Sequence, residues 1–262
     1  MMKAKWFWVL AGCLLLVAAV VTGGVLYNMS RETKGTETVT FQAADGLTIT
    51  GDLYRTGDKR APFILLFHQA GYSRGEYAEI APKLCEMGYN CLAIDQRSGG
   101  KCNGVTNETF QAARKEKLPC EYADAYPDLE AALKYVTEQY KPKQLIVWGS
   151  SYSASLALIL AAEHPGEVQA VLSFSPGEYF TRNDRTIADY AKDVTQPVFI
   201  TSMRTEEKAW KGIADSITSA GCMFFVPEGI GLHGSSALFA STKNNAEYWT
   251  AVERFLQSLK ES

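Results

Sequence analysis

The chain has 262 residues, and its 26 lysines and arginines nearly balance its 29 aspartates and glutamates, for a formal net charge of -3. The basic residues are scattered singly among acidic ones and form no stripe that could follow a phosphate backbone. This pattern excludes nucleic acid as an expected partner, and the length suits one sizeable domain with a buried core.

The chain begins with an apolar segment that predicts a membrane anchor. Residues 6–27 contain no charged side chain, and about 20 apolar residues are enough to cross a bilayer as a helix. Lys3 and Lys5 precede the segment and are expected to stay in the cytoplasm, which places the rest of the chain on the far side. We therefore predict an anchor or signal segment over residues 1–29, a polar linker over 30–38 and one folded domain over 39–262.

Two other interpretations of this segment stay open. Residues 22–24 offer a small-residue site for a cleaved secretory signal, and residues 10–13, LAGC, resemble a bacterial lipobox in which Cys13 would carry the lipid. Cleavage at Cys13 would leave a long apolar run, residues 14–21, at the new N-terminus. An uncleaved anchor with an extracytoplasmic domain is therefore favoured over a secreted protein or a lipoprotein.

Apolar periodicity and turn signals predict strands and helices that alternate along most of the remaining chain. Strands are predicted over residues 37–42, 47–54, 63–68, 89–95, 144–148, 168–174, 198–202 and 222–226. Helices are predicted over residues 77–87, 108–117, 128–140, 154–162, 206–220 and 246–259. Near-continuous apolar strands between helices predict an α/β fold, with a mostly parallel twisted sheet of about eight strands and helices on both faces. Ligands collect at the carboxyl ends of the strands in such sheets.

The candidate nucleophile is Ser151. It stands between the apolar residues 145–148 and the Ala- and Leu-rich residues 154–162, in the order strand, sharp turn, helix. Gly149 and Ser151 match the pattern G-x-S-x-G, and Ser153 occupies the place of its final glycine. Such a turn exposes the serine hydroxyl at the sheet edge and places the next backbone N–H at a helix N-terminus.

A nucleophilic serine needs a base, and the usual base is a histidine. Of the three histidines, His164 lies at the far end of the helix after Ser151, whereas His233 lies in a glycine-rich loop directly after the last predicted strand. We therefore predict His233 as the base. The third member should be a carboxylate just past a strand end, and we predict Glu206, with the adjacent Glu207 as the alternative.

The oxyanion hole requires two backbone N–H groups aimed at the developing negative charge. Tyr152, directly after the nucleophile, is predicted to supply one of them. The loop after the strand over residues 63–68 is predicted to supply the other, from Ala70 or, as the alternative, from Gln69.

Four motifs, taken together with their order along the chain, resemble the α/β-hydrolase fold family, in particular its dienelactone-hydrolase-like and serine-peptidase-like branches. The motifs are the serine turn, the H-G-x-G oxyanion loop, the D-x-R-G-x-G loop and the catalytic histidine loop, found here at residues 149–153, 68–71 (HQAG), 95–100 (DQRSGG) and 231–234 (GLHG). The resemblance covers residues 41–259 and implies that Ser151, Glu206 and His233 form the triad, in the family's chain order.

The same resemblance implies structural roles for His68, Asp95 and Arg97. The chain departs from the family pattern at three places. Gln69 and Ser153 replace glycines, and a glutamate replaces the more frequent aspartate of the triad. Dienelactone hydrolases use a cysteine nucleophile, so their own reaction is not carried over to this serine.

Two excursions from the sheet, over residues 98–126 and between residues 174 and 197, are expected to roof the site. Tyr72, Tyr179 and Phe180 are the predicted substrate-binding residues, and their rings suggest a partly aromatic pocket for a small or medium acyl group.

The cysteines and histidines show no metal-binding spacing, and the predicted chemistry requires no metal or cofactor. Cys102 and Cys120 bracket the first excursion, and a disulfide between them is an option in an oxidising compartment. Cys85, Cys91 and Cys222 are predicted to be small core residues.

Together these residues predict a membrane-anchored serine hydrolase that cleaves a carboxylic ester through a Ser-His-Glu triad and an acyl-enzyme. Two alternatives stay open. One is a peptidase or amidase of the same fold, and the other is a non-catalytic domain of this fold that binds a ligand at the cell envelope. The ordered serine, glutamate and histidine argue against the second, because a binding domain has no need of them. The expected partners are a small ester or peptide substrate and the membrane.

Overall fold

The computed structural model describes residues 34–58 and 60–260. The predicted anchor and both alternatives to it lie outside the described residues. Within the described ranges, no helix combines the length and the apolarity that a membrane crossing requires. The first strand begins at Lys34, inside the segment predicted as a linker.

One eight-stranded sheet forms the centre of the described chain. Its strands are β1 (Lys34–Gln42), β2 (Thr48–Arg55), β3 (Phe63–Phe67), β4 (Asn90–Ile94), β7 (Leu145–Ser150), β8 (Ala170–Phe174), β9 (Val198–Thr201) and β10 (Met223–Phe225). Their order is β1-β2-β4-β3-β7-β8-β9-β10. The pairs β1–β2 and β2–β4 are antiparallel and all others are parallel, so the predicted mostly parallel sheet is confirmed. Two short strands, β5 (Lys101–Cys102) and β6 (Val105–Thr106), form a separate hairpin.

Helices cover both faces of this sheet. They are α1 (Ile80–Glu86), α2 (Glu108–Glu116), α3 (Tyr126–Tyr140), α4 (Tyr152–Glu163), α5 (Ile187–Ala191), α6 (Glu207–Ser216) and α7 (Asn245–Ser258). Short 3-10 turns lie at Arg74–Tyr77, Ala123–Ala125, Arg204–Glu206 and Gly234–Leu238.

Alternate residues of the central strands face two separate cores, as expected for the period of a strand. In β3, Phe63, Leu65 and Phe67 belong to the core that includes α3, α4, α5 and α6. Ile64 and Leu66 belong to the opposite core, with α1 and α7. Helix α4 is buried on nearly every side, so the element that follows the candidate nucleophile is held firmly in place.

The predicted elements lie within a few residues of observed ones, whereas α5 and the β5–β6 hairpin were not predicted. Two of the predicted helices differ at their ends. The helix predicted over residues 77–87 begins later, at Ile80, because Tyr77 is the last residue of the 3-10 turn Arg74–Tyr77. The helix predicted over residues 206–220 ends at Ser216, because the next residue is already extended.

The five cysteines in the described part of the chain are free thiols. The optional disulfide between Cys102 and Cys120 is therefore absent, and Cys102 is buried in the β5–β6 hairpin. Cys85 and Cys91 lie in the core as predicted, whereas Cys222 is only partly buried at its edge.

Two buried arginines join the loop after β4 to the elements around it. Arg97 donates to both carboxylate oxygens of Asp128, at 2.7–3.2 Å, and its Nη1 lies 2.6 Å from Asp45 in the β1–β2 turn. Arg74 forms an ion pair of 2.5 Å with Asp95. Burial raises the pKa of Asp128 to about 6, although its hydrogen bonds with Arg97 act in the opposite direction. Asp95 and Arg97 therefore have the structural roles that the family resemblance implies.

Replacing Arg97 by methionine is expected to lower the free energy of unfolding by about 3–5 kcal/mol, because Asp128 would stay buried without its cation. Urea unfolding at pH 7.5 measures the loss. The matched control is Arg55→Met, which breaks an exposed pair with Glu37 and should cost at most about 1 kcal/mol. Equal losses of unfolding free energy in the two variants would show that the buried pair stabilises the fold no more than the exposed pair does.

Candidate active site

Ser151 lies in the sharp turn between β7 and α4. Its backbone has a φ of 59° and a ψ of -124°, a conformation that costs a non-glycine residue on the order of 1–3 kcal/mol. The Ser151 N–H donates to the carbonyl of Phe174 at the end of β8, at 2.7 Å, which holds the turn. A side chain at Gly149 would collide with the backbone of Ser153 and Ala154, so only glycine fits there.

Ser153, which stands in place of the motif's final glycine, is fully buried. Its hydroxyl donates to the carbonyl of His68 at 2.6 Å and accepts from Gln96 Nε2 at 2.6 Å. Gln96 also donates to the hydroxyl of Tyr152 at 3.0 Å. These hydrogen bonds join the start of α4 to the segments that follow β3 and β4, so the serine adds a polar connection where a glycine would only allow close packing.

Two of the three histidines have positions that exclude them as the base. His68 is buried between the N–H of Gln96, which donates to Nε2 at 2.9 Å, and the carbonyl of Gln69, 2.8 Å from Nδ1. Burial lowers the pKa of His68 to about 4, so the ring is neutral and structural. His164 lies at the far end of α4, where it pairs with Glu167.

The third histidine, His233, is paired with a carboxylate. Its Nδ1 lies 2.5 Å from Glu206 Oε1. The other carboxylate oxygen, Oε2, accepts from Ser175 Oγ at 2.7 Å, and Ser175 Oγ in turn accepts from the N–H of Gly234 at 2.9 Å. The carboxylate, the hydroxyl and the histidine loop therefore form a closed hydrogen-bonded ring. Glu207, the alternative acid, is exposed and has no part in this ring.

The charge of Glu206 follows from these contacts. Burial raises its pKa, but the hydrogen bonds with His233 and Ser175 outweigh burial and hold the pKa below its usual value. The carboxylate is therefore ionised at neutral pH and accepts the Nδ1–H of His233. This tautomer leaves Nε2 unprotonated, which is the form that a general base requires.

The histidine loop is docked against the residue that precedes the nucleophile. The N–H of Ser235 donates to Ser150 Oγ at 2.8 Å, and the glycine before Ser235 has no room for a side chain beside that hydroxyl. Ser151 and His233 thus lie on adjoining segments at the carboxyl edge of the sheet. Among the described residues, no hydrogen bond joins their side chains directly. The neighbouring Ser151 hydroxyl partly offsets the rise that burial causes in the pKa of Tyr179.

The predicted oxyanion donors follow β3 and β7, two neighbouring strands. Tyr152 is the first residue of α4, so its N–H has no acceptor within the helix. Ala70 follows β3, and its N–H has no acceptor within residues 34–58 and 60–260. The Gln69 alternative is wrong, because the Gln69 N–H donates to Glu76 Oε2 at 2.8 Å. Ala70 and Tyr152 stay the predicted pair.

The three predicted substrate-binding residues differ in position. Tyr179 is 40% exposed, and its hydroxyl donates to the carbonyl of Ser175 at 2.9 Å, beside Ser151. Phe180 is partly buried and packs against the core that contains α4. Tyr72 is half-buried, and its hydrogen bonds to Gln69, Gly100 and Asn107 are made by its backbone N–H and carbonyl. Of these three aromatic residues, Tyr179 is the one that lies at the serine.

Sequence reasoning missed three polar residues of this site. Ser175 directly follows β8, so the strand-end rule that identifies Glu206 also points to it. Glu76 and Ser150 carry no such signal, because their partners are distant in sequence. Across the described part of the chain, histidine, cysteine and acidic side chains form no group able to hold a metal ion.

Curated relatives match about half of the chain. The acyltransferase drtE of Aspergillus calidoustus is 31% identical over 146 residues, and the thiohydrolase apmlB of Arthrinium phaeospermum is 30% identical over 141 residues. Each match covers 53% of this chain, but only 42% and 43% of the respective relative. The chain thus spans less than half the length of these relatives.

Solved structures share the fold over most of the chain. The esterase Pf2001 of Pyrococcus furiosus has a TM-score of 0.67 at 18% identity and covers 86% of this chain and 92% of its own. A dienelactone hydrolase of Anabaena variabilis has a TM-score of 0.67 at 17% identity, over 86% and 97% of the two chains. Est1E of Butyrivibrio proteoclasticus, solved with ferulic acid bound, has a TM-score of 0.68 at 13% identity, over 86% and 100%. At these identities the similarity shows the α/β-hydrolase fold alone.

A family model described as Hydrolase_4, serine aminopeptidase S33, matches residues 58–215. The match runs from the loop before β3 almost to the end of α6 and takes in both Ser151 and Glu206. It covers more than half of the chain, and the resemblance expected from the sequence motifs is confirmed. The protein therefore belongs to the serine aminopeptidase S33 family of α/β hydrolases.

Proposed function

We propose that the protein is a serine hydrolase that cleaves carboxylic esters, or the related thioesters, through Ser151, His233 and Glu206. The observation that carries the proposal is the 2.5 Å contact between His233 and Glu206, beside a serine held in a strained turn. A partly buried pair of this kind at the carboxyl edge of a sheet is what acyl transfer needs and what a binding domain does not. Membership of a hydrolase family supports the same conclusion.

In the first half of the proposed reaction, His233 Nε2 takes the proton of Ser151 Oγ while Oγ attacks the carbonyl carbon of the ester. The carbonyl electron pair moves to the oxygen, and the resulting oxyanion accepts hydrogen bonds from the N–H groups of Ala70 and Tyr152. When the intermediate collapses, the bond to the alcohol oxygen breaks and that oxygen takes the proton from His233. The acyl group stays on Ser151.

In the second half, a water molecule gives a proton to His233 Nε2 and attacks the acyl carbon. The second tetrahedral intermediate expels Ser151 Oγ, which recovers the proton, and the carboxylic acid departs. Glu206 stays ionised throughout and stabilises the imidazolium in both halves. Its low pKa suits this role, because the carboxylate then keeps its charge across the neutral range.

The ground-state geometry requires one adjustment before reaction. Ser151 and His233 lie on adjoining segments but are not hydrogen-bonded, and catalytic hydrogen bonds often form fully only when substrate is bound. Rotation of the Ser151 side chain away from Tyr179 towards His233 would complete the triad. The exposed ring of Tyr179 is the group that we expect to contact the acyl part of the substrate.

The choice of ester and thioester rests on chemistry and on the names of the relatives. An alcohol or thiol departs more easily than an amine, so esters and thioesters make the lowest demand on the site. The thiohydrolase and acyltransferase relatives are named for acyl chemistry, and the esterases share the fold. The family description keeps an aminopeptidase as the second candidate. An aminoacyl p-nitroanilide assayed beside p-nitrophenyl esters and an acyl thioester separates the two.

Replacing Ser151 by alanine is expected to abolish ester hydrolysis, with a loss in kcat on the order of 10⁶-fold, because the nucleophile is removed. Hydrolysis of p-nitrophenyl esters of increasing chain length measures the loss, and a fluorophosphonate probe reports the activated serine independently. Ser216→Ala, in α6, is the control and should behave as the wild type. Full activity or full labelling in the Ser151 variant would rule Ser151 out as the nucleophile.

Replacing Glu206 by glutamine is expected to lower kcat by about 10⁴-fold, because an amide no longer selects the His233 tautomer with a free Nε2. The matched control is Glu207→Gln, which makes the same chemical change at the adjacent, exposed position. Its steady-state kinetics should equal those of the wild type within about twofold, as surface changes usually do. Equal losses of kcat at the two positions would contradict the assignment of Glu206, rather than Glu207, as the triad acid.

We also propose that residues 6–27 anchor the enzyme in a membrane, with the catalytic domain outside the cytoplasm; the apolar sequence and the preceding Lys3 and Lys5 support this. The full chain, expressed in bacteria, should stay in the membrane pellet after alkaline carbonate washing. A chain that begins at residue 31 should be released. Recovery of the full-length protein in the supernatant would contradict the anchor, and a lipid-sized mass on Cys13 would support the lipoprotein alternative.

A further inference from the structure

One fully buried carboxylate near the site has no role in the reaction proposed above. Glu76 lies in the 3-10 turn Arg74–Tyr77, directly after the loop that carries Ala70, and its side chain is fully buried. Burial of a carboxylate is costly unless its oxygens are satisfied by donors, so the identity of those donors indicates what the residue does.

Three donors converge on the Glu76 carboxylate. The backbone N–H of Gln69 donates to Oε2 at 2.8 Å, and the Gln69 side chain donates from Nε2 to Oε1 at 3.1 Å. The hydroxyl of Ser150 donates to Oε1 at 2.8 Å. Each of these donors is itself buried, so the carboxylate is the common acceptor for two segments of the site.

The third segment joins through the same groups. Ser150 Oγ accepts from the N–H of Ser235, and Gln69 Nε2 also donates to Ser236 Oγ at 3.1 Å. Ser235 and Ser236 follow His233, Ser150 precedes Ser151, and Gln69 precedes Ala70. The network centred on Glu76 therefore connects the loop of the predicted oxyanion donor, the residue before the nucleophile and the histidine loop.

The titratable groups that face Glu76 do not neutralise it. Tyr77 of its own turn, Cys102 of β5 and His233 of the histidine loop are the groups that interact with it electrostatically. Arg74, in the same turn, forms its ion pairs with Asp52, Asp95 and Glu108 and not with Glu76. Burial raises the pKa of Glu76 to about 7, against the opposing effect of its hydrogen bonds and of His233.

We propose that ionised Glu76 is a positioning residue, which holds the Ala70 loop, the Ser151 turn and the His233 loop in their reactive arrangement through its three hydrogen bonds. This inference rests on the proposed hydrolase function. A carboxylate accepts from all three donors at once, whereas a protonated carboxyl presents one oxygen as a donor and loses acceptor capacity. Activity should therefore fall when Glu76 takes up a proton, in addition to any loss from protonation of His233.

The test is Glu76→Gln, which keeps the shape of the side chain. Whichever way the amide is turned, its NH₂ group faces at least one of the three donors, so at least one contact is lost. With p-nitrophenyl acetate and the full chain in detergent, kcat should fall on the order of 10²-fold, as expected for a misplaced site, while KM changes little. The control is Glu79→Gln, the same change three residues later on the exposed surface, which should match the wild type.

The pH profile of kcat/KM separates positioning from a purely structural role. In Glu76→Gln the acid limb should move to lower pH, because the ionisation of Glu76 is removed. Ser150→Ala removes one donor to the carboxylate, raises its pKa and should move the acid limb to higher pH. If Glu76→Gln fails to fold, the shift in Ser150→Ala still tests the proposal, and an unchanged acid limb in that variant would contradict it.

A second readout does not depend on activity. Hydrogen exchange, followed by mass spectrometry at pH 8, should be faster in Glu76→Gln than in Glu79→Gln over residues 63–77 and 229–238, because the Gln69 and Ser235 amides lose support. If the wild type shows no Ser151-dependent activity, the hydrolase proposal fails. Hydrogen exchange alone then tests whether Glu76 holds the three segments in place. Unchanged exchange, or a Glu76→Gln variant with wild-type kcat and acid limb, would overturn the positioning role.

Discussion

The backbone conformation of Ser151 is the constraint on which the rest of the site depends. A serine with a φ of 59° is unfavourable by itself, and three features hold it: the bond of its N–H to Phe174, the lack of a side chain at Gly149 and the enclosed helix α4. Because the sheet fixes this turn, the Ser151 hydroxyl and the Tyr152 N–H have their positions before a substrate arrives. The histidine and oxyanion loops are then positioned relative to that fixed point.

The buried and partly buried carboxylates of this fold have two kinds of partner. The kind of partner distinguishes carboxylates that stabilise the fold from those that belong to the candidate active site. Asp95 and Asp128 face arginines, which hold them as permanent ion pairs that connect loops to the sheet. Glu206 faces a histidine, and Glu76 faces neutral donors, so neither carboxylate has a permanent cation as its partner. Keeping a carboxylate such as Glu76 without a permanent cation costs stability, and such costs concentrate at functional sites. Both of these glutamates lie on segments that hold the site together.

The sequence was sufficient to predict the sheet, nearly all helices and the pairing of His233 with Glu206, because each rests on a local signal. Apolar runs mark buried strands, and a serine, an acid and a histidine directly after strands share one edge of a parallel sheet. What escaped prediction depends on long-range contacts. The Gln69 N–H is taken by Glu76, and the hydroxyl of Ser150 is bound from both sides, facts that no local pattern contains. The 3-10 turn Arg74–Tyr77, which carries Glu76, was not predicted for the same reason.

The central claim is that an acyl group is transferred to Ser151, and the most direct measurement is mass spectrometry of the intact protein after rapid acid quench with a slowly hydrolysed p-nitrophenyl ester. Because the proposed site activates a single serine in a fixed turn, we expect one acyl group per chain, with peptide mapping locating it on Ser151. Its rate of appearance should match the release of p-nitrophenol in the first turnover. Turnover without any covalent adduct, or an adduct on a different residue, would contradict the proposed mechanism.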